Sequence, residues 1–115
     1  MKVLCYPKCG TCRKALKWLD DNGLKYEYRH IVEDNPSKEE LKDWYEKSGL
    51  ELKKFFNTSG LKYKELNLKE RIPQMTEDEI FELLSTDGML VKRPILIDGD
   101  KVLVGFKEPE WEKLK

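Results

Sequence analysis

MKVLCYPKCGTC, residues 1–12, sets three thiols, Cys5, Cys9 and Cys12, at the front of the chain. Lys2 to Tyr6 is a short apolar run that reads as a buried strand. From Cys12 onward apolar residues fall at 12, 15, 16 and 19, which is helical spacing, and Gly23 is placed to stop that helix. Tyr26 to Ile31 alternates as a second strand. The opening therefore predicts a βαβ unit with parallel strands, in which the cysteine loop joins the first strand to its helix.

Further along the chain the periodicity changes. Ser37 follows Pro36 and has Glu40 three residues on, a capping box, with Leu41, Trp44 and Tyr45 on one face and Gly49 as the stop. Leu52, Phe55 and Phe56 mark a short helical piece before Asn57-Thr58-Ser59-Gly60, and another falls around Tyr63 to Leu68. Thr76 and Glu79 repeat the capping box ahead of Ile80, Leu83 and Leu84, with Gly88 read as the stop. Ile95–Ile97 and Val102–Val104 flank Asp98-Gly99-Asp100-Lys101, a hairpin signal. A last short helix carries Trp111 and Leu114 inward. The order is β-α-β, a helical block, then β-β-α. It predicts an α/β chain with a four-stranded mixed sheet, the layout of a thioredoxin-like fold. One domain over residues 1–115 is expected, with residues 1–35 and 89–115 as its core and about 36–88 as an inserted helical subdomain.

At 115 residues the chain has the size of one domain. Its 22 Lys and Arg balance 22 Asp and Glu, which removes the charge footprint of a general nucleic-acid binder. No apolar run exceeds four residues, so a transmembrane span and a secretory signal are not expected. A cytoplasmic location is the default expectation. In a reducing compartment, clustered cysteines point to catalysis or metal binding rather than a permanent staple.

Cys9-Gly10-Thr11-Cys12 is a C-x-x-C at a helix mouth. A helix N-terminus presents unpaired N–H groups and about half a positive charge, which stabilise a thiolate there. Such positions lower a cysteine pKa from about 8.5 into the range of roughly 3.5–7.5. Cys9, nearer the loop, is expected to be the exposed nucleophile, and Cys12, one turn inward, its resolving partner. Lys8, Arg13 and Lys14 are expected to add positive charge. Cys5 shares the inward pattern of Val3 and reads as a small core hydrophobe. A zinc site would have to draw on Cys5, Cys9, Cys12 and His30, without the second ligand pair that such sites use, so no metal is assigned.

Arg93-Pro94 immediately precedes the third strand, which, antiparallel to the first, begins where the first ends. That brings Pro94 beside the cysteines, where a cis bond would turn the chain toward them and Arg93 would face a substrate anion or the Cys9 thiolate. The substrate is expected among Lys8, Gly10, Thr11, Arg93 and Pro94. His30 ends the second strand on the same sheet edge and is read as structural or surface rather than as a proton shuttle. Trp18, Trp44 and Trp111 are read as core, and the charges over 37–48 as a solvated face.

With CGTCRKA, NTSGLKYKEL, KRPILID and VGFKEPEW in this order, the whole chain resembles the arsenate reductase ArsC/Spx family of thioredoxin-like proteins. The resemblance implies a reactive cysteine at Cys9, a cis-proline at Pro94 and an anion-facing arginine at Arg93. Glutaredoxin-coupled arsenate reductases of the family use a single active-site cysteine and surround the oxyanion with three arginines. Here Asn57 and Phe106 stand where two of those arginines would be, and Cys12 where those reductases carry serine. Two lost charge-assisted forks would weaken oxyanion handling by about a hundred-fold or more. Spx-like members carry C-x-x-C as a redox switch and bind RNA polymerase.

The function expected from the sequence is thiol–disulfide exchange by Cys9 and Cys12. Glutathione, glutaredoxin or thioredoxin would be the reductant, and no bound cofactor is expected. The alternatives are a redox-sensing transcriptional regulator that contacts the RNA polymerase α subunit and a glutathione/glutaredoxin-dependent arsenate reductase.

Overall fold

The computed structural model describes residues 1–115. β1 (Lys2–Cys5), α1 (Gly10–Asp21) and β2 (Glu27–His30) form the opening βαβ unit. β1 and β2 are parallel, with Lys2 opposite Glu27 and Cys5 opposite His30. Gly23, at φ 66°, turns the chain out of α1 at no side-chain cost.

The helical layer follows. α2 (Lys38–Ser48) starts at a complete capping box: Glu40 N–H donates to Ser37 Oγ at 3.1 Å and Ser37 N–H to Glu40 Oε1 at 3.0 Å. After a 3₁₀ turn over Leu52–Phe55 come α3 (Leu61–Glu65), α4 (Leu68–Arg71) and a second 3₁₀ turn, Ile72–Gln74. α5 (Glu77–Thr86) repeats the capping box with Thr76 and Glu79.

Gly88 is not the stop expected from the sequence. α5 ends at Thr86, and Gly88 opens a 3₁₀ turn over Gly88–Leu90. A Cβ on Gly88 would overlap the Ile31 carbonyl oxygen and crowd Val32 Cα at 2.9 Å. The glycine is therefore required by close approach of two backbones rather than by helix termination.

β3 (Ile95–Asp98) and β4 (Lys101–Val104) close a hairpin, and α6 (Glu108–Trp111) with a 3₁₀ turn over Glu112–Leu114 follows. The strand order β2-β1-β3-β4 is a mixed sheet, parallel between β1 and β2 and antiparallel elsewhere. The chain is thus α/β with the expected thioredoxin-like layout. No helix is long and apolar enough to cross a membrane.

Side chains alternate across the sheet. Val3, Cys5 and Leu96 point to one face, where they pack with Cys12, Ala15 and Leu19 of α1 and with Trp111. Leu4 and Ile95 point to the other, under the helical layer. That layer is tied to β2 by Arg29, which pairs with both Glu40 oxygens at 2.6 and 2.9 Å and donates to the Asp34 and Asn35 carbonyls. The 37–48 charges are therefore not all a solvated face, since Glu40 holds a half-buried arginine.

Candidate functional site

The site is assembled by the end of β1, the start of α1 and the start of β3. Cys9 is the N-cap residue of α1, in extended conformation, with its N–H donating to the Tyr6 carbonyl at 3.0 Å. It is half-buried, while Gly10 and Thr11 are exposed. Cys12 is the third residue of the helix, 1% exposed, and its Sγ accepts the Tyr6 N–H at 3.5 Å. All three cysteines are free thiols.

Within the buried Cys5–Cys12 pair, negative charge is favoured on Cys12. Cys12 is pulled down to about 6, first by the Cys5 thiol and then by the Tyr6 N–H, the Cys9 thiol and the Arg93 charge, against the opposing effect of burial. Cys5 is pushed far up, first by the neighbouring Cys12 and then by burial. The two buried sulfurs in effect share one proton, kept by Cys5. Cys5 is thus fully buried on the core face beside Val3 and also supports the charge on Cys12. The sequence expectation put the thiolate at the outer rim of the helix mouth, but the lowered thiol is one turn inside.

Arg93 is the cation that acts on it. The Arg93–Pro94 peptide is cis, and Leu4 pairs with Ile95, so the next step of the register sets Pro94 across from Cys5. The Arg93 guanidinium lies over the Tyr6 ring at 5.3 Å. Its Nε and Nη1 are buried and find no acceptor in the protein. Buried donors of this kind are costly to leave unmatched, so an incoming anion gains from meeting them. The positive charge expected from the loop acts differently: Arg13 Nε donates to the Pro7 carbonyl at 3.0 Å, and Lys8 and Lys14 are exposed.

His30 is held structurally. Its Nδ1 accepts the N–H groups of Val32 and Glu33 at 3.2 and 3.1 Å, and its ring packs edge-on against Tyr6. Asn57 is engaged by its own backbone, whose N–H donates to the Leu90 carbonyl at 2.8 Å. Phe106 packs edge-on against Trp111 and Trp18, with ring centroids 5.0 and 6.2 Å away. Neither position offers an anion a charged fork.

A cleft of about 490 Å³ opens beside the loop, with Thr11 in its wall and neither Lys8 nor Gly10 among its lining. A hollow of about 560 Å³ between the end of α2 and β4 contains no residue of the cysteine loop and takes no part in the site. The cleft was missed in the sequence because its walls come from five separated segments.

The sequence model of the ArsC family matches residues 4–114. An uncharacterized Bacillus subtilis protein, YusI, is 66% identical over 108 residues, covering 94% of this chain and 92% of the relative. The B. subtilis regulatory protein MgsR is 35% identical over 109 residues, covering 95% and 85%. A solved structure of an ArsC family related protein from Bacteroides fragilis superposes with a TM-score of 0.97 at 58% identity, covering 99% of this chain and 96% of that one.

Proposed function

Because the chain belongs to the ArsC family, we propose that its cysteine loop carries out thiol–disulfide exchange in the cytoplasm. The observation that carries the reading is a stabilised Cys12 thiolate one helical turn behind a half-exposed Cys9. Cys12 is too buried to meet an outside substrate, which leaves Cys9 as the thiol that attacks. The Cys9 proton passes to the Cys12 thiolate as Cys9 attacks a substrate disulfide. A Cys9–substrate disulfide forms and the first substrate thiolate leaves, taking up that proton. The regenerated Cys12 thiolate then attacks the Cys9 sulfur and expels the second substrate thiolate. Two electrons have moved from the protein thiols to the substrate, and a Cys9–Cys12 disulfide remains. Glutathione, glutaredoxin or thioredoxin then reduces it. Arg93, with Pro94 holding its approach, would steady the negative charge on the leaving sulfur.

Stopped-flow reduction of a small disulfide by the reduced protein tests this. Cys9→Ser is expected to fall to the rate of uncatalysed exchange, and Cys12→Ser to accumulate a mixed disulfide visible by mass spectrometry. A Cys9→Ser protein as active as the parent overturns the mechanism.

The likeness to the regulatory protein MgsR favours a second reading, a redox-sensing regulator that contacts the RNA polymerase α subunit. It predicts that pull-down of that subunit differs between oxidised and reduced protein, and equal or absent binding in both states rejects it. Arsenate reduction is disfavoured by the local environments of Asn57 and Phe106, which leave Arg93 alone to meet an oxyanion. Turnover with glutathione and glutaredoxin no faster than an Arg93→Ala control excludes it.

A further inference from the structure

Six lysines outside the cleft of this electrically balanced chain are held in ion pairs: Lys17 with Asp21, Lys38 and Lys42 with Asp78, Lys47 with Asp43, Lys62 with Asp87 and Lys115 with Glu112. In the cleft beside the cysteine loop, basic side chains outnumber acidic ones. Lys53, Lys54, Lys92 and Lys107 line it, and Glu110 is its one carboxylate. Lys53 has a partner outside the lining, Glu51 at 3.3 Å, while Lys54, Lys92 and Lys107 make no ion pair.

Like charges gathered around one concavity repel each other, and a concave wall focuses their field on whatever enters it. The main chain of Lys92 is pinned to this wall, its backbone N–H donating to the Phe55 carbonyl at 2.7 Å. The Lys92 stem lies along Gly105, which takes a positive φ of 79° and whose Cβ position is 3.5 Å from Lys92 Cε, an ordinary packing distance. Lys92 also immediately precedes Arg93, whose buried Nε and Nη1 have no partner and whose charge helps lower Cys12. Thr11, also in the cleft lining, stands two residues from Cys9. A volume of about 490 Å³ is that of a small-molecule site.

We propose that the cleft binds the carboxylates of an anionic small-molecule disulfide, setting its sulfur–sulfur bond over Cys9, with Lys92 and Lys107 as specificity-determining residues. The proposal rests on the thiol–disulfide reading above and names its substrate class. The reaction is the exchange already written, with the substrate disulfide as the two-electron oxidant of Cys9 and Cys12.

The test compares three disulfides that share the chemistry and differ in charge. They are glutathione disulfide, which carries carboxylates, neutral bis(2-hydroxyethyl) disulfide and cationic cystamine. Single-turnover rate constants with the pre-reduced full chain are each normalised to the rate of the same disulfide with dithiothreitol. The expected order is glutathione disulfide, then bis(2-hydroxyethyl) disulfide, then cystamine. The ratio of the first to the second should fall about two- to five-fold in each of Lys92→Gln and Lys107→Gln, and about ten-fold in the double variant. It should narrow in high salt and hold in Lys25→Gln, a lysine outside the cleft. A normalised ratio near one in the parent, or one unchanged in the double variant, overturns the proposal. If the parent reduces none of the three, the exchange reading fails instead. Calorimetric binding of glutathione disulfide to Cys9→Ser then decides the cleft separately. Binding that the double variant weakens ten-fold upholds an anion site, and no binding, or binding it leaves unchanged, rejects it.

Discussion

On one face of the sheet, α1 and α6 cover seven buried residues, Cys5 and Cys12 among them; on the other, the helices between β2 and β3 cover sixteen. The larger face is also cross-tied. Arg29 grips Glu40, Lys38 and Lys42 reach Asp78, Asn35 donates to the Ser85 carbonyl at 2.6 Å, and Tyr45 donates to Glu77 at 3.0 Å. On the cysteine face the ties that involve side chains are Trp111 Nε1 to the Gly105 carbonyl at 3.1 Å, Arg13 Nε to the Pro7 carbonyl at 3.0 Å and the long Tyr6 N–H to Cys12 Sγ contact at 3.5 Å. Apolar burial and polar ties thus concentrate where there is no thiol. The cysteine face spends its polar geometry on holding a charge instead, which implies that stability and thiol chemistry can be perturbed separately.

The largest expected separation comes from Gly88→Ala. The added methyl meets the Ile31 and Val32 backbone, which cannot swing aside as a side chain could. Overpacking against rigid backbone puts the cost near 3 kcal/mol, a loss on the order of 10 °C or more in Tm. Thermal unfolding by circular dichroism checks it. Below its melting point the variant should keep the parent's thiolate titration, because the clash lies on the opposite face. A Tm within a degree of the parent would mean that the close approach can relax, and a moved titration would mean that the faces are coupled.

Glu40→Gln breaks the layer more gently. Glutamine preserves the capping box with Ser37 and removes the charge facing Arg29. The Arg29 side chain is 11% exposed but that of Glu40 is 36% exposed, so solvent screening limits the loss to about 1–2 kcal/mol. Arg29 beside it holds the Glu40 carboxyl at about 2, below the ordinary 4.5. A depressed carboxylate stabilises the fold fully above pH 4.5 and loses that contribution as pH falls through 2. Urea unfolding at pH 7, 4 and 3 should therefore show the parent losing its advantage over Glu40→Gln toward low pH. A gap constant down to pH 2 would assign the loss to something other than this pair.

What could be read in the sequence was local in origin. Both capping boxes and the turn glycines Gly23 and Gly49 were legible, as was the Asp98–Lys101 hairpin, because each is set by residues within a few positions of one another. The C-x-x-C at the mouth of a helix was legible for the same reason. Gly88 was misread because its requirement comes from Ile31, far away in sequence. Arg29 and Glu40 meet only after β2 is laid beside α2. The lysine cleft gathers Thr11, Lys54, Lys92 and Lys107 from separate segments, and periodicity carries no record of such a meeting. The lowering at Cys12 was not legible for a subtler reason. The helix mouth favours charge at Cys9 and Cys12 alike, and the choice depends on Cys5 and Tyr6, which the end of the strand folds against the inner thiol.

Cys5→Ala isolates that choice and has the smallest expected effect, since it removes little volume and one donor. Measured in a Cys9→Ser background, thiolate absorbance at 240 nm reports Cys12 as Cys5 stays protonated. Loss of the Cys5 thiol, the largest influence pulling Cys12 down to about 6, should carry the midpoint back toward the ordinary thiol value, by about the worth of one hydrogen bond, 0.5–1.5 kcal/mol. The same change should appear in stability. A lowered Cys12 stabilises the fold fully above its unfolded value of 9.0 and loses that contribution as pH falls through 6. Cys5, pushed up in the fold, stays protonated there, and in the unfolded chain it begins to ionise only as pH nears 9.0, where it opposes the Cys12 contribution. The rise in stability from pH 6 to about 8, below the unfolded thiol value, is therefore the signature of Cys12 and should be flatter once Cys5 is gone. An unmoved midpoint would transfer the role to the Tyr6 N–H and the α1 N-terminus, and would leave Cys5 as the core residue that the strand pattern alone describes.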